Sequence, residues 1–90
     1  MDDITEASEG MLAAIDLQLN SALDLAQADR EYRIAKASAL LASEEKSADK
    51  RSAYADIESS QERHARDVAV ARERAARYLV EAMIAGRITT

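Results

Sequence analysis

A length of 90 residues, a net charge of −5 and the lack of any proline, cysteine, tryptophan or phenylalanine restrict what this chain can be. The length holds one domain, the missing cysteine excludes disulfides, zinc fingers and thiol chemistry, and two glycines leave too few turn makers for a many-stranded fold. Apolar residues make up 48% of the chain, but 20 residues are alanine, and the larger apolar side chains are too few for a deep core in a lone monomer.

The acidic balance gives no general affinity for nucleic acid or anionic membrane. The longest unbroken apolar run, Met11 to Ile15, is five residues, far short of the ~20 that a membrane span needs. The start, Met1-Asp2-Asp3, is acidic where a secretion signal is basic, so the expected location is the cytoplasm. Residues 1–29 carry seven acids and no base, whereas residues 30–90 carry twelve bases and ten acids.

The first predicted helix covers about 4–42. Asp3 followed by Glu6 forms a capping-box pattern. Ile4, Ala7 and Met11 then begin a helical stripe that runs through Leu12, Ile15, Leu19, Ala22, Leu23 and Ala26 at steps of three and four. Leu17 and Leu25 lie off it, so this helix is apolar on more than one face. Gly10 lies inside the pattern, where it costs up to about 1 kcal/mol against alanine.

Residues 43–47 (Ser-Glu-Glu-Lys-Ser) break the phase of the stripe and predict a turn, with Ser43 and Ser47 both suited to cap a following helix. A second helix is expected over about 48–85. Positions 54, 57, 61, 64, 68, 71, 75, 78, 82 and 85 alternate steps of three and four and read as a heptad seam containing Tyr54, Ile57, Gln61, His64, Val68 and Tyr78. Gly86 suits a helix stop, with 86–90 as a loose tail.

A turn near residue 45 makes an all-α, long antiparallel two-helix hairpin in a single domain, residues 1–90. Facing residues then sum to about 90: Leu12 meets Tyr78, Ile15 meets Ala75, Leu19 meets Ala71, Leu23 lies near Val68, Ala26 near His64 and Ile34 near Ile57. One continuous helix in a long coiled coil is the competing architecture, and the broken phase at 42–48 speaks against it. Leucines and other large residues outside the single seam imply self-association, most simply a dimer forming a four-helix bundle. The expected contact surface is Leu12, Ile15, Leu17, Leu19, Leu23 and Leu25 with Val80, Met83 and Ile84.

Catalysis has little support: one histidine, no cysteine, and no nucleophile-elbow, P-loop or dinucleotide motif. His64 reads as a packed seam residue. A di-iron bundle requires Glu-x-x-His at inward positions; Glu31, Glu58, Glu62 and Glu73 are followed three residues on by Ile34, Gln61, Ala65 and Ala76. No cofactor or metal is expected. Arg63, Arg66, Arg74 and Arg77 fall on one outward stripe, ~21 Å long at the helical rise, that could follow a phosphate backbone. The stronger reading is a solvated face with local pairs, Glu62–Arg66, Glu73–Arg77 and Arg63–Asp67, and no aromatic interleaved for base stacking.

The order of an acidic Ala/Leu-rich helix, the step Tyr32-Arg33-Ile34-Ala35-Lys36-Ala37, the polar turn Ser43 to Ser47, and Lys50-Arg51-Ser52-Ala53 opening a basic helix resembles small helical-hairpin proteins of tailed bacteriophages. The resemblance covers nearly the whole chain. It implies a phage or prophage origin and a role inside the host cell, and it supplies no active site. The expected function is therefore a non-enzymatic, self-associating protein that binds another protein. The alternatives are an accessory protein of phage recombination or replication that uses the arginine stripe on nucleic acid, and a structural or assembly protein of the virion.

Overall fold

Alanine, leucine, glutamate and glutamine, all strong helix formers, dominate the first forty residues, and no proline interrupts them. The computed structural model describes the backbone of residues 2–89 and the side chains of residues 9–86. The expected capping pair, Asp3 and Glu6, and the stripe residues Ile4 and Ala7 lie outside the described side chains. The described chain is all-α. Helix α1 spans Asp2–Ala42, α2 spans Ala48–Glu58 and α3 spans Ser60–Thr89.

Between α1 and α2, residues 43–47 are not helical. Ser43 N–H still donates to Ala39 O at 3.0 Å, which completes the last turn of α1, and Ser43 Oγ accepts from Glu45 N–H at 3.2 Å. Ser47 has extended backbone (φ −83, ψ 138) and its Oγ accepts from Lys50 N–H at 3.2 Å. This is an N-cap, with Asp49 supplying negative charge to the first turn.

The break between α2 and α3 falls at one residue, Ser59. Its hydroxyl donates to Ala55 O at 2.6 Å, and its side chain is fully buried. A seryl hydroxyl bonded back to the fourth preceding carbonyl bends a helix. Because Arg63 N–H donates to Ser59 O at 3.0 Å, α2 and α3 continue as one bent leg. At the far end α3 runs through Gly86 to Thr89 and does not stop at the glycine. Gly86 has no positive φ, so its backbone stays helical there.

Helix α1 packs along both α2 and α3. Lys36 Nζ pairs with Asp56 Oδ1 at 3.4 Å, and Met83 Cε lies 3.6 Å from the Cβ position of Gly10. These two contacts lie at opposite ends of the molecule, so the second leg runs antiparallel to α1. On α1 one buried and half-buried series runs through Ala14, Gln18, Ser21, Leu25, Ala28, Tyr32, Ala35 and Ala39, with Gly10, Met11, Asp29 and Lys36 half-buried beside it. On the second leg the series is Ala55, Ser59, Glu62, Arg66, Ala69, Glu73, Ala76, Val80 and Met83, with Asp56, Val68 and Val70 half-buried beside it. Both series step by four and three without a break, which is a strict heptad.

This seam is not the one the large residues suggest. Tyr54, Ile57, Gln61, His64, Ala71, Ala75, Tyr78, Ala82 and Ala85 are all exposed, and Val68 is half-buried. The expected facing pairs Leu12–Tyr78, Ile15–Ala75, Leu19–Ala71 and Ile34–Ile57 are exposed on both sides. The physical reason is side-chain size. Alanine and serine at nine of the seventeen seam positions allow the two helix axes to approach closely, and the larger Leu25, Tyr32, Arg66, Val80 and Met83 fit between them. The buried apolar residues are Ala14, Ala39, Ala55, Ala69, Ala76 and Val80, with Ser21 and Ser59 beside them.

The result is a thin rod of 68 × 19 × 13 Å. Its least dimension is about one helix diameter, so the protein is a single layer of helices. Its radius of gyration is 19.7 Å, against about 12 Å for a compact chain of this length. Its accessible surface is 6925 Å², against about 5,200 Å² for a compact monomer of this mass.

Candidate docking surface

Large apolar side chains displaced from the seam lie on the outside of the rod. Leu12 is 63% and Leu23 69% exposed, and Ile15, Leu19 and Ile84 are exposed as well. The steps from 12 to 15, 19 and 23 keep these side chains on one face of α1. Between α1 and α3, Ala22, Leu25, Ala26, Asp29, Arg66 and Val70 line a mainly apolar groove of about 510 Å³ beside that stripe.

Three residues assigned by sequence to this surface belong elsewhere. Val80 is buried in the seam, and Leu25 and Met83 are half-buried there. They occupy heptad contact positions, so they join the two legs to each other. Leu17 is exposed, but it stands ~200° on from Ile15 around α1 and emerges on another flank. A second group of exposed apolar residues, Ile34, Leu41, Tyr54 and Ile57, occupies the turn half of the rod.

Two of the four stripe arginines, Arg66 and Arg77, pair within the chain. Arg66, expected to face outward, is half-buried. Its guanidinium lies over the Tyr32 ring at 4.5 Å from the centroid and donates to Asp67 Oδ1 at 3.0 Å. The expected Glu62–Arg66 pair is replaced by this arrangement. Glu62 turns into the seam, where its Oε2 is buried and accepts no hydrogen bond from the chain. Arg77 Nη2 reaches Glu73 Oε2 at 3.9 Å, and Arg33 Nε meets Asp29 Oδ2 at 2.9 Å. Arg63 and Arg74 are exposed.

His64 is also exposed, beside Ser60, Arg63 and Asp67 in an open groove, and is not packed against Ala26. Among the described residues no group of three histidine, aspartate or glutamate side chains could hold a metal ion. The concavity lined by Ala26, Gln27, Arg30, Glu31 and Ile34 belongs to α1 alone, and one helix cannot enclose a substrate. Among the described residues no helix is long and apolar enough to cross a membrane.

Sequence reasoning missed the Tyr32–Arg66 stack and the role of Ser59. A signal was present for both: positions 32, 59 and 66 fall on the small-residue heptad that also contains Ala28, Ala35, Ala55 and Ala69.

The fold and its surface thus define a class: an elongated all-α protein with a seam of small side chains and its larger apolar side chains outside. Comparisons with family models, with curated proteins and with solved structures find no match for this chain.

Proposed function

We propose that this chain is a non-enzymatic helical hairpin of phage type that acts as a protein assembly unit. Two copies stack through the Leu12, Ile15, Leu19 and Leu23 stripe with Ile84 beside it, giving a homodimeric four-helix bundle. The turn half, with Ile34, Leu41, Tyr54 and Ile57, remains free to engage a different protein.

One observation carries this reading: the rod is one helix thick, 13 Å, and buries alanines while Leu12 and Leu23 remain 63% and 69% exposed. A helix must bury its apolar stripe against another element, and the seam leaves this one uncovered. A second layer supplied by another copy covers it. The nucleic-acid alternative is weakened by the chain's own carboxylates, which hold Arg33, Arg66 and Arg77.

Light scattering tests the reading. The expected mass is twice the chain's 9.8 kDa, and a folded monomer at micromolar concentration overturns it. Leu41→Asp with Ile57→Asp should leave the dimer mass unchanged, because the turn half is reserved for the other partner.

A further inference from the structure

On α1 the acid Glu9 precedes the exposed leucine stripe and the base Arg30 follows it. Asp16, Asp24 and Asp29 continue the acids along the helix, and Arg30, Arg33 and Lys36 are its bases, with Glu31 among them. Within the chain Asp29 holds Arg33 at 2.9 Å and Asp56 holds Lys36 at 3.4 Å. Glu9 and Arg30 are exposed, and neither makes an ion pair or side-chain hydrogen bond with another described residue. They lie 21 positions apart on α1 with the leucine stripe between them.

Glu9 before and Arg30 after the same apolar stripe are complementary to each other when two copies of the helix run antiparallel. We infer that α1 pairs with α1 of a second copy about a two-fold axis at Leu19, setting Glu9 of each copy beside Arg30 of the other. This rests on the self-association proposed above and specifies its geometry. About an axis at residue 19, positions that sum to about 38 face each other across an antiparallel helix pair. Leu19 then meets its own copy, Ile15 meets Leu23 and Leu12 meets Ala26. Glu9 and Arg30 sum to 39, and Leu12 and Ala26 to 38.

Two features favour this arrangement over its rivals. Ala26 lines the groove with Ala22, Leu25, Val70, Asp29 and Arg66, so the second copy's Leu12 faces a mainly apolar recess. A parallel pairing would set Glu9 against Glu9 and Arg30 against Arg30, which costs energy in a contact that excludes water. Laying α1 over α3 of the second copy would set the leucines on Arg74 and Arg77, which follow Val70 by four and seven residues on the same face.

The test uses the full chain at low salt, with dimer dissociation measured by sedimentation equilibrium and helicity checked by circular dichroism. Glu9→Arg alone and Arg30→Glu alone should each raise the dissociation constant roughly ten-fold, since each replaces two attractive pairs by two repulsive ones. An equimolar mixture of the two single variants should form a heterodimer with wild-type affinity, because every pair between the copies is then opposite in sign. Glu9→Arg with Arg30→Glu in one chain should also recover it. A monomeric wild-type chain overturns both this geometry and the self-association reading. A wild-type dimer whose single variants are unaffected, or whose mixture gains nothing, overturns the antiparallel pairing alone.

Discussion

The Arg66 guanidinium stacks on the Tyr32 ring with 4.5 Å between its carbon and the ring centroid, which makes a seam residue of an arginine that sequence places on the solvent face. The contact joins α3 to the middle of α1, beside Ala28, Ala35 and Ala69 of the seam. The aliphatic stem covers apolar surface while the charged end meets Asp67 at 3.0 Å.

Arg66→Ala should therefore lower stability by about 1 kcal/mol, the size of a partly desolvated cation–π contact. For a domain of this length that is a fall in Tm of about 4–8 °C. Tyr32→Phe should leave stability nearly unchanged, since the ring face makes the contact and the hydroxyl does not. A thermal melt of the two variants at equal concentration checks both, and a Tyr32→Phe loss as large as that of Arg66→Ala would contradict the assignment.

The seam is close-packed by small residues, so enlarging one of them should destabilise the fold. Ala76 is 3% exposed and Ala55 fully buried. Ala76→Leu adds three carbons where two helices are in contact, and overpacking of this kind costs about 1–3 kcal/mol. The expected result is a lower midpoint in urea with the slope unchanged. Ala75→Leu, one position along and exposed, should be neutral. If the seam were the face of Tyr54, Ile57 and Tyr78, the two results would be exchanged.

Gly10 lies inside α1 and gains nothing from lacking a side chain. A Cβ built there meets Met83 Cε at 3.6 Å, an ordinary contact distance, and the residue has no positive φ. Gly10→Ala removes conformational freedom from the unfolded chain and should raise stability by about 0.5–1 kcal/mol. Urea unfolding at fixed protein concentration measures it, and a loss of stability would mean that Met83 cannot give way.

The all-α class was legible from the lack of proline and the unbroken steps of three and four. The interruption between Ala42 and Ala48 falls where Glu44, Glu45 and Lys46 break the phase of the stripe. The register was nearly legible as well: Lys36–Asp56 and Gly10–Met83 give numbers that sum to 92 and 93, against the expected 90. The buried face was not. Leu12, Ile15, Leu19 and Tyr78 recur at helical spacing, and so do Ala14, Ser21, Ala28 and Ala35. Periodicity cannot choose between two stripes of the same period. Size chooses: in a pair of helices the small stripe allows close approach, and the large stripe needs a second layer. Leu25, Val80 and Met83 are large and still lie in the seam, because they share the heptad of its alanines and serines.

That division between seam and outer stripe makes two kinds of leucine and valine variant behave differently. Val80 is 8% exposed in the seam, and Val80→Asp buries an unpaired carboxylate beside Glu81, at a cost of about 3 kcal/mol. The expected result is loss of helical signal in circular dichroism at every protein concentration. Leu19 is 58% exposed, so Leu19→Glu removes little from the monomer, but in the dimer it places two carboxylates at the two-fold axis. Its light-scattering mass should fall to that of one chain while helical signal persists at low temperature. The wild type should melt at a temperature that rises with concentration, as an associating protein does, and Leu19→Glu should melt at one that does not. Equal loss of helix in both variants would place Leu19 in the seam and remove the distinction between the two faces.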